Sequence, residues 1–199
     1  MGKCLFNLNL KSICVYFFFI FPQLVFSSDQ EIYLTLDKLH TTIKEISEKR
    51  IDKNNINYVN NIISKTYDTK KMSKIILGKF WSDSKAHDKV KFIEKFSLYI
   101  SSNYISRFRD KKKFSYEYKG IDKIGDEYRI AYTIFKFGET EKLKINYMLI
   151  KNQNKWLIFD VLLNGSISEI ATKKSEFNES LNNGGITSLI SLINKKLGF

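Results

Sequence analysis

The chain has 199 residues, 43% hydrophobic and 27% charged, which suits one globular domain with its own core and is too short to expect two. With 16 Phe and 11 Tyr it carries too much bulky apolar material for an intrinsically disordered protein. A formal charge of +12 together with these rings first suggests nucleic acid, because Lys and Arg pair with phosphates and aromatic rings stack on bases.

The first 27 residues argue against that partner. "MGKCLFNLNLKSICVYFFFIFPQLVFS" has Lys3 and Lys11 with no acid, then an apolar run from Ile13 to Phe26 broken only by Pro22 and Gln23, then serines. This is the pattern of a signal peptide for export, and the run is shorter than the roughly 20 residues a membrane span needs. Cleavage is expected after Ser27 or one residue later, with an uncleaved anchor as the alternative. Neither Cys4 nor Cys14 follows a lipobox, so a lipoprotein is not expected. Cleavage removes both cysteines, leaving the 28–199 domain without a disulfide or a thiolate. It also removes Lys3 and Lys11, and the charge settles at +10. Only "RDKKKF" (Arg109 to Phe114) forms a dense basic run. Outside the cytoplasm the partners expected for such a chain are acidic proteins and anionic lipid surfaces.

From Gln30 to Phe108 the period is helical. Ile32, Leu36, Leu39, Ile43 and Ile46 step by four and three along one face of a first helix. A second helix places Ile56, Val59 and Ile63 on one stripe, and a shorter one turns Met72, Ile75 and Ile76 inward before Gly78 interrupts it. Ser82, Asp83 or Ser84 offers a cap for a long helix ending near Phe108. Its stripe is Val90, Ile93, Phe96, Ile100, Tyr104 and Phe108, flanked by Phe92 and Tyr99, and is more aromatic than packing alone requires.

After Lys111 the period drops to two. Phe114, Tyr116 and Tyr118 alternate in a first strand, and Gly120 with "GIDKIGDEY" reads as turns on either side of a short connection. A second strand puts Tyr128, Ile130, Tyr132 and Ile134 on one face, and a third does the same with Leu143, Ile145, Tyr147 and Leu149. "WLIFDVLL" is the fourth. Short turns between them predict an antiparallel meander with one face against the helices. The helical period then returns with Ile167, Ile170, Ala171, Phe177 and Leu181, "NNGG" ends that helix, and Ile186, Leu189, Ile190, Ile193 and Leu197 form a last one.

Little here carries catalysis. His40 and His87 lack a second histidine at ligand spacing and read as exposed helical residues. There is no nucleophile elbow, phosphate loop or zinc-binding motif. Asp160 and Glu169 are imaginable as a carboxylate pair across the Asn164-Gly165 hinge, but Asp160 reads better as an acceptor for backbone donors and Glu169 as a solvent-facing residue. Ser168 reads as a backbone-bonding serine. No catalytic residue, metal or cofactor is expected.

Trp156, Asp160, Val161, Gly165, Ile167, Ser168 and Phe177 resemble, in order and residue type, a signature of the MlaC family, the periplasmic phospholipid-binding and toluene-tolerance proteins of Gram-negative bacteria. "ILGKFWSDSKAHDKVKFIEKFSLYISSNYISRF" and "NNGGITSLISLINKKL" are similar to two further stretches of that family, so the resemblance covers nearly the whole chain. It departs where Lys85 and Ala86 stand in place of a capping Ser or Thr with Pro, and where Lys173 and Lys174 follow the Ser168 turn.

The resemblance implies an NTF2-like α+β fold, with N-terminal helices and two C-terminal helices packed on a four-stranded antiparallel sheet around a deep apolar pocket. Both acyl chains of a glycerophospholipid would enter it with the headgroup near solvent. It further implies a monomeric carrier, not an enzyme, that ferries phospholipid between an outer-membrane lipoprotein-porin complex and an inner-membrane Mla ABC transporter and so helps maintain lipid asymmetry. The expected lining is Phe80, Phe92, Phe96, Ile100 and Tyr104 on helices, Ile130, Tyr132, Ile134, Tyr147 and Leu149 on strands, and Ile167 at the hinge. The Tyr104 phenol is expected to meet an ester or headgroup at the mouth. An NTF2-like enzyme with a buried carboxylate, and an interaction module with no internal ligand, stay open as alternatives.

Overall fold

A computed structural model describes residues 28–49, 52–111 and 113–198; the expected signal peptide, 1–27, lies outside the described residues. Among the described residues no helix is long and apolar enough to cross a membrane. Helix α1 (Ser28–Lys49) buries the aliphatic stripe read from its period: Ile32, Leu36, Ile43 and Ile46 are 0% exposed. His40 lies on the same side, four residues after Leu36, and is fully buried rather than exposed. Tyrosines from the sheet supply the hydrogen-bond partners that make this burial tolerable.

Helices α2 (Ile56–Thr66) and α3 (Thr69–Leu77) meet at Tyr67 and Asp68. Asp68 caps α3 through the Lys71 N–H at 2.8 Å, and its own N–H bonds the Ile158 carbonyl of the sheet. A five-residue helix, α4 (Lys79–Asp83), follows, and then the long α5 (Ala86–Phe108). None of the expected caps serves α5. Its N-cap is Lys85, and the Ser84 hydroxyl donates backwards to the Phe80 carbonyl at 2.7 Å, closing α4 instead. The buried face of α5 is Phe92, Phe96, Tyr99, Ile105 and Phe108, while Val90 at the start of the expected stripe is 56% exposed.

The sheet has five strands in sequential antiparallel order, β1 (Phe114–Ile124), β2 (Tyr128–Phe137), β3 (Glu141–Asn152), β4 (Lys155–Leu163) and a two-residue β5 (Ile167–Ser168). The first four were expected; the fifth is too short to show a period. Gly120 does not end β1. The strand runs through it with a register shift between Tyr118 and Gly120, so it is a bulge. The inward face of β2 is Ala131, Thr133, Phe135 and Phe137, all buried, so Ile130, Tyr132 and Ile134 point the other way. Both faces of this strand are apolar, which left alternation unable to choose between them. Register chooses: Thr133 pairs with Ile145 and Ala131 with Tyr147, and the third strand's buried row sets the side.

Helix α6 (Glu169–Leu197) closes the chain. Gly184 and Gly185 break its dihedral pattern, and Gly185 has φ of 62°, so the two expected helices are the arms of one kinked element. A side chain at Gly184 would begin 2.9 Å from the Ser188 Cβ, which explains the small residue there.

Candidate functional site

An apolar cavity of about 370 Å³ lies between α5, the start of α6 and the inward faces of β2, β3 and β4. Helix α5 contributes Phe96, Tyr99, Ile100, Asn103 and Tyr104 to its wall. The sheet contributes Phe135, Leu143, Ile145, Tyr147 and Val161, and Tyr67 and Met72 complete the inner end. This is where the aromatic excess of α5 is used: Phe96 stacks with Tyr99 and Tyr104 with Phe108 along the helix, and all four rings line the space.

The junction between β4 and α6 is held by one carboxylate. Asp160 Oδ1 accepts from the N–H groups of Val161 at 2.8 Å and Ile170 at 3.1 Å, and its Oδ2 accepts from the Ser168 hydroxyl at 2.6 Å. The Ser168 oxygen in turn accepts from the Ala171 N–H at 3.0 Å, capping α6. Gly165, at φ of 84°, makes the turn, and its carbonyl accepts from the Asn146 amide at 3.0 Å. The sequence reading of Asp160 and Ser168 as backbone partners describes this arrangement. The junction directs Glu169, Ile170 and Lys173 to the cavity.

Among the described residues, the charged groups that line the cavity, Arg107, Lys111, Glu141, Glu169 and Lys173, are all held in ion pairs. Both Nη atoms of Arg107 donate to Glu169 Oε1 at 3.1 Å, so Glu169 is held in an ion pair rather than facing water. Lys111 pairs with Glu141 at 2.6 Å and Lys173 with Glu176 at 2.5 Å. Burial works to lower the Lys173 pKa, but its bonds to Glu176 and Tyr99 outweigh it and leave the ammonium above its ordinary value.

The inner polar groups are neutral. The Tyr67 and Tyr104 hydroxyls are 2.5 Å apart, and burial pushes the Tyr104 phenol up to about 12 and Tyr67 well above its ordinary value. The Tyr147 hydroxyl lies 2.9 Å from His40 Nε2, while His40 Nδ1 lies 3.2 Å from the Tyr118 hydroxyl, which donates to Asp37 at 2.6 Å. Because Tyr118 spends its hydrogen on Asp37, His40 carries its proton on Nδ1 and Nε2 accepts from Tyr147. Burial lowers the His40 pKa to about 3, so the imidazole is neutral near pH 7.

The sequence model of the MlaC protein family matches residues 35–195. The chain belongs to the MlaC family. Among solved structures, a phospholipid-binding protein from Ralstonia solanacearum in complex with a phospholipid matches with a TM-score of 0.73, over 87% of this chain and 98% of that one, at 18% identity. At that identity the likeness speaks for the fold. No curated protein sequence matches the chain.

In this MlaC-family chain, the residues singled out from sequence separate into clear groups. Phe96, Ile100, Tyr104 and Tyr147 meet at the cavity. Phe92 is buried behind Phe96, its ring stacked at 5.7 Å, and Leu149 is 0% exposed within the core. Ile130, Tyr132 and Ile134 are on the outer face of the sheet, for the register reason given above. Phe80 is partly buried on α4, packed against the core but away from the cavity, and Ile167 is 53% exposed because α6 begins two residues after it, so Ile170 takes the inward position. Tyr67, Met72, Phe135 and Phe137 were missed. Phe135 and Phe137 were legible as the alternate parity of β2; Tyr67 falls between two helices, where no period marks it.

Proposed function

We propose that this MlaC-family chain is a periplasmic carrier that takes the acyl chains of a glycerophospholipid into the cavity and leaves the headgroup at the charged rim. The observation that carries this reading is the make-up of the site: apolar walls with neutral phenols, and every charged lining group among the described residues neutralised in an ion pair. An apolar cavity gains from an occupant that removes its lining from water. Burying about ten methylenes at roughly 0.8 kcal/mol each offsets much of the cost of immobilising a lipid. The job needs no nucleophile or base, and the carboxylates at the cavity, Glu141 and Glu169, are each engaged by a cation. Family membership supports the wider role, in which lipid passes between an outer-membrane lipoprotein-porin complex and an inner-membrane ABC transporter and outer-membrane asymmetry is maintained. A monomer suffices, since one chain encloses the cavity.

Native mass spectrometry of gently extracted protein tests the reading. A stoichiometric adduct with the mass of a diacyl phospholipid is the expected result. Protein that stays lipid-free after incubation with phospholipid vesicles overturns it.

A further inference from the structure

Phe80 and Trp81 were left without a part in the cavity. They sit on the five-residue helix α4, where both are partly buried against the core and keep a minority of their surface in contact with solvent. Val90, one turn into α5 and next to Lys89 in the chain, is 56% exposed. Lysines surround these apolar groups: Lys79 Nζ is 5.2 Å from the Phe80 ring centre and Lys89 Nζ is 5.4 Å from that of Trp81. Lys85 and Lys91 are exposed on the same stretch, against Asp83 and Asp88.

The corner differs electrostatically from the rim. At the rim Arg107, Lys111 and Lys173 each hold a carboxylate. Among the described residues none of Lys79, Lys85, Lys89, Lys91 and Lys174 is in an ion pair. No carboxylate neutralises their charge, although Lys79 and Lys89 lie over the Phe80 and Trp81 rings. The corner also adjoins the cavity, because the Lys174 side chain comes within 3.9 Å of where a Gly78 side chain would begin, and Lys173 beside it lines the cavity.

We infer that this corner docks on an anionic lipid surface. A Trp and a Phe that are anchored in the core but reach the surface, with lysines free of ion pairs around them, match the chemistry of a bilayer interface, where aromatic rings sit at headgroup depth and lysines meet lipid phosphates. The position next to Lys173 sets the cavity opening close to the bilayer while the corner is engaged. That last point rests on the lipid-carrier reading; the docking itself does not.

The experiment is co-sedimentation of the purified, exported protein with two kinds of vesicle, phosphatidylcholine alone and phosphatidylcholine with phosphatidylglycerol in equal parts. Binding only to the second, declining with added salt, is expected. Trp156 is buried, so a blue shift of tryptophan emission on binding reports Trp81. Each lysine near an anionic surface contributes about a fivefold factor in affinity, so K79E/K89E weakens binding by roughly 25-fold or more, and F80A/W81A, which removes the rings, weakens it as well. The outer-sheet reversal K142E/K144E changes it by no more than about threefold, being remote from the corner. Lipid co-purified in the cavity stays at the wild-type level in the corner variants, which shows that they fold and keeps docking separate from carriage. No vesicle binding, unchanged binding by K79E/K89E, or equal loss in both lysine pairs overturns the proposal. Recognition of an acidic protein without vesicle binding overturns it as well.

Discussion

The Tyr67 hydroxyl lies 2.5 Å from the Tyr104 hydroxyl within the cavity wall. Whichever phenol donates, the other keeps a hydrogen with no partner, and an ester carbonyl entering the cavity is an acceptor for it. Tyr67→Phe and Tyr104→Phe each leave one phenol able to donate, so each single change lowers diacyl phospholipid affinity by no more than about threefold. Y67F/Y104F removes both donors and costs up to about tenfold. Titration with a diether phospholipid is the control: lacking carbonyls, it should bind wild type and double variant alike. Equal losses for ester and ether lipids would show that the pair only shapes the wall.

A carboxylate placed on the inward face of the sheet should expel lipid, whereas the same change on the outer face should not. Leu143 lines the cavity and Ile134 belongs to the opposite row. Leu143→Glu puts a charge where burial disfavours it by several kcal/mol, and we expect co-purified phospholipid to fall at least about tenfold. Ile134→Glu leaves it unchanged. Lipid extraction and mass spectrometry of both variants decides the matter, and loss in Ile134→Glu would reverse the assignment of faces.

The contrast between those two residues shows where sequence was sufficient and where it was not. Periodicity located the helices, the first four strands and the α5 side chains Phe96, Ile100 and Tyr104, because a single apolar stripe has one way to face a core. It could not orient β2, where Ile130, Tyr132 and Ile134 alternate with Ala131, Thr133 and Phe135 and both rows are apolar enough to be buried. Pairing with β3 resolves that, and pairing is a tertiary property. Phe80 illustrates a different limit. It sits in a signature-like stretch, but a single turn of helix has no period from which to read its facing.

His40 should make the protein acid-sensitive. Its pKa is lowered by burial to about 3, against an ordinary value near 6.5, so folded and unfolded chains are equally unprotonated above pH 7. As pH falls below 6.5 the unfolded chain takes up a proton that the folded one refuses, and stability declines until pH reaches about 3. At roughly 1.4 kcal/mol per pH unit, the loss from this residue is about 2 kcal/mol by pH 5. Urea unfolding at pH 7 and pH 5 should show that decrement in wild type. In His40→Gln, which keeps a hydrogen-bonding side chain but cannot titrate, the decrement should shrink by that amount. The same pH slope in both proteins would place the sensitivity elsewhere.

Asp160 holds the junction that brings Ile170 and Lys173 to the cavity. Removing its carboxylate leaves the Ile170 N–H and the Ser168 hydroxyl without their acceptor at the junction where α6 begins. Each stranded donor costs about 1–3 kcal/mol, so Asp160→Ala should destabilise the fold by roughly 2–6 kcal/mol, measured by urea unfolding at pH 7. Ser168→Ala loses the helix cap and one bond to Asp160, for about 1 kcal/mol. The two losses overlap, because Ser168 no longer needs Asp160 once its hydroxyl is gone. The double variant should therefore fall short of the sum by roughly 1 kcal/mol. Additivity would mean that the Ser168 to Asp160 bond contributes nothing. Since Ile170 and Lys173 reach the cavity only through this junction, Asp160→Ala should also lower bound phospholipid where Ser168→Ala does not. Retention of lipid in Asp160→Ala would uncouple the junction from the cavity.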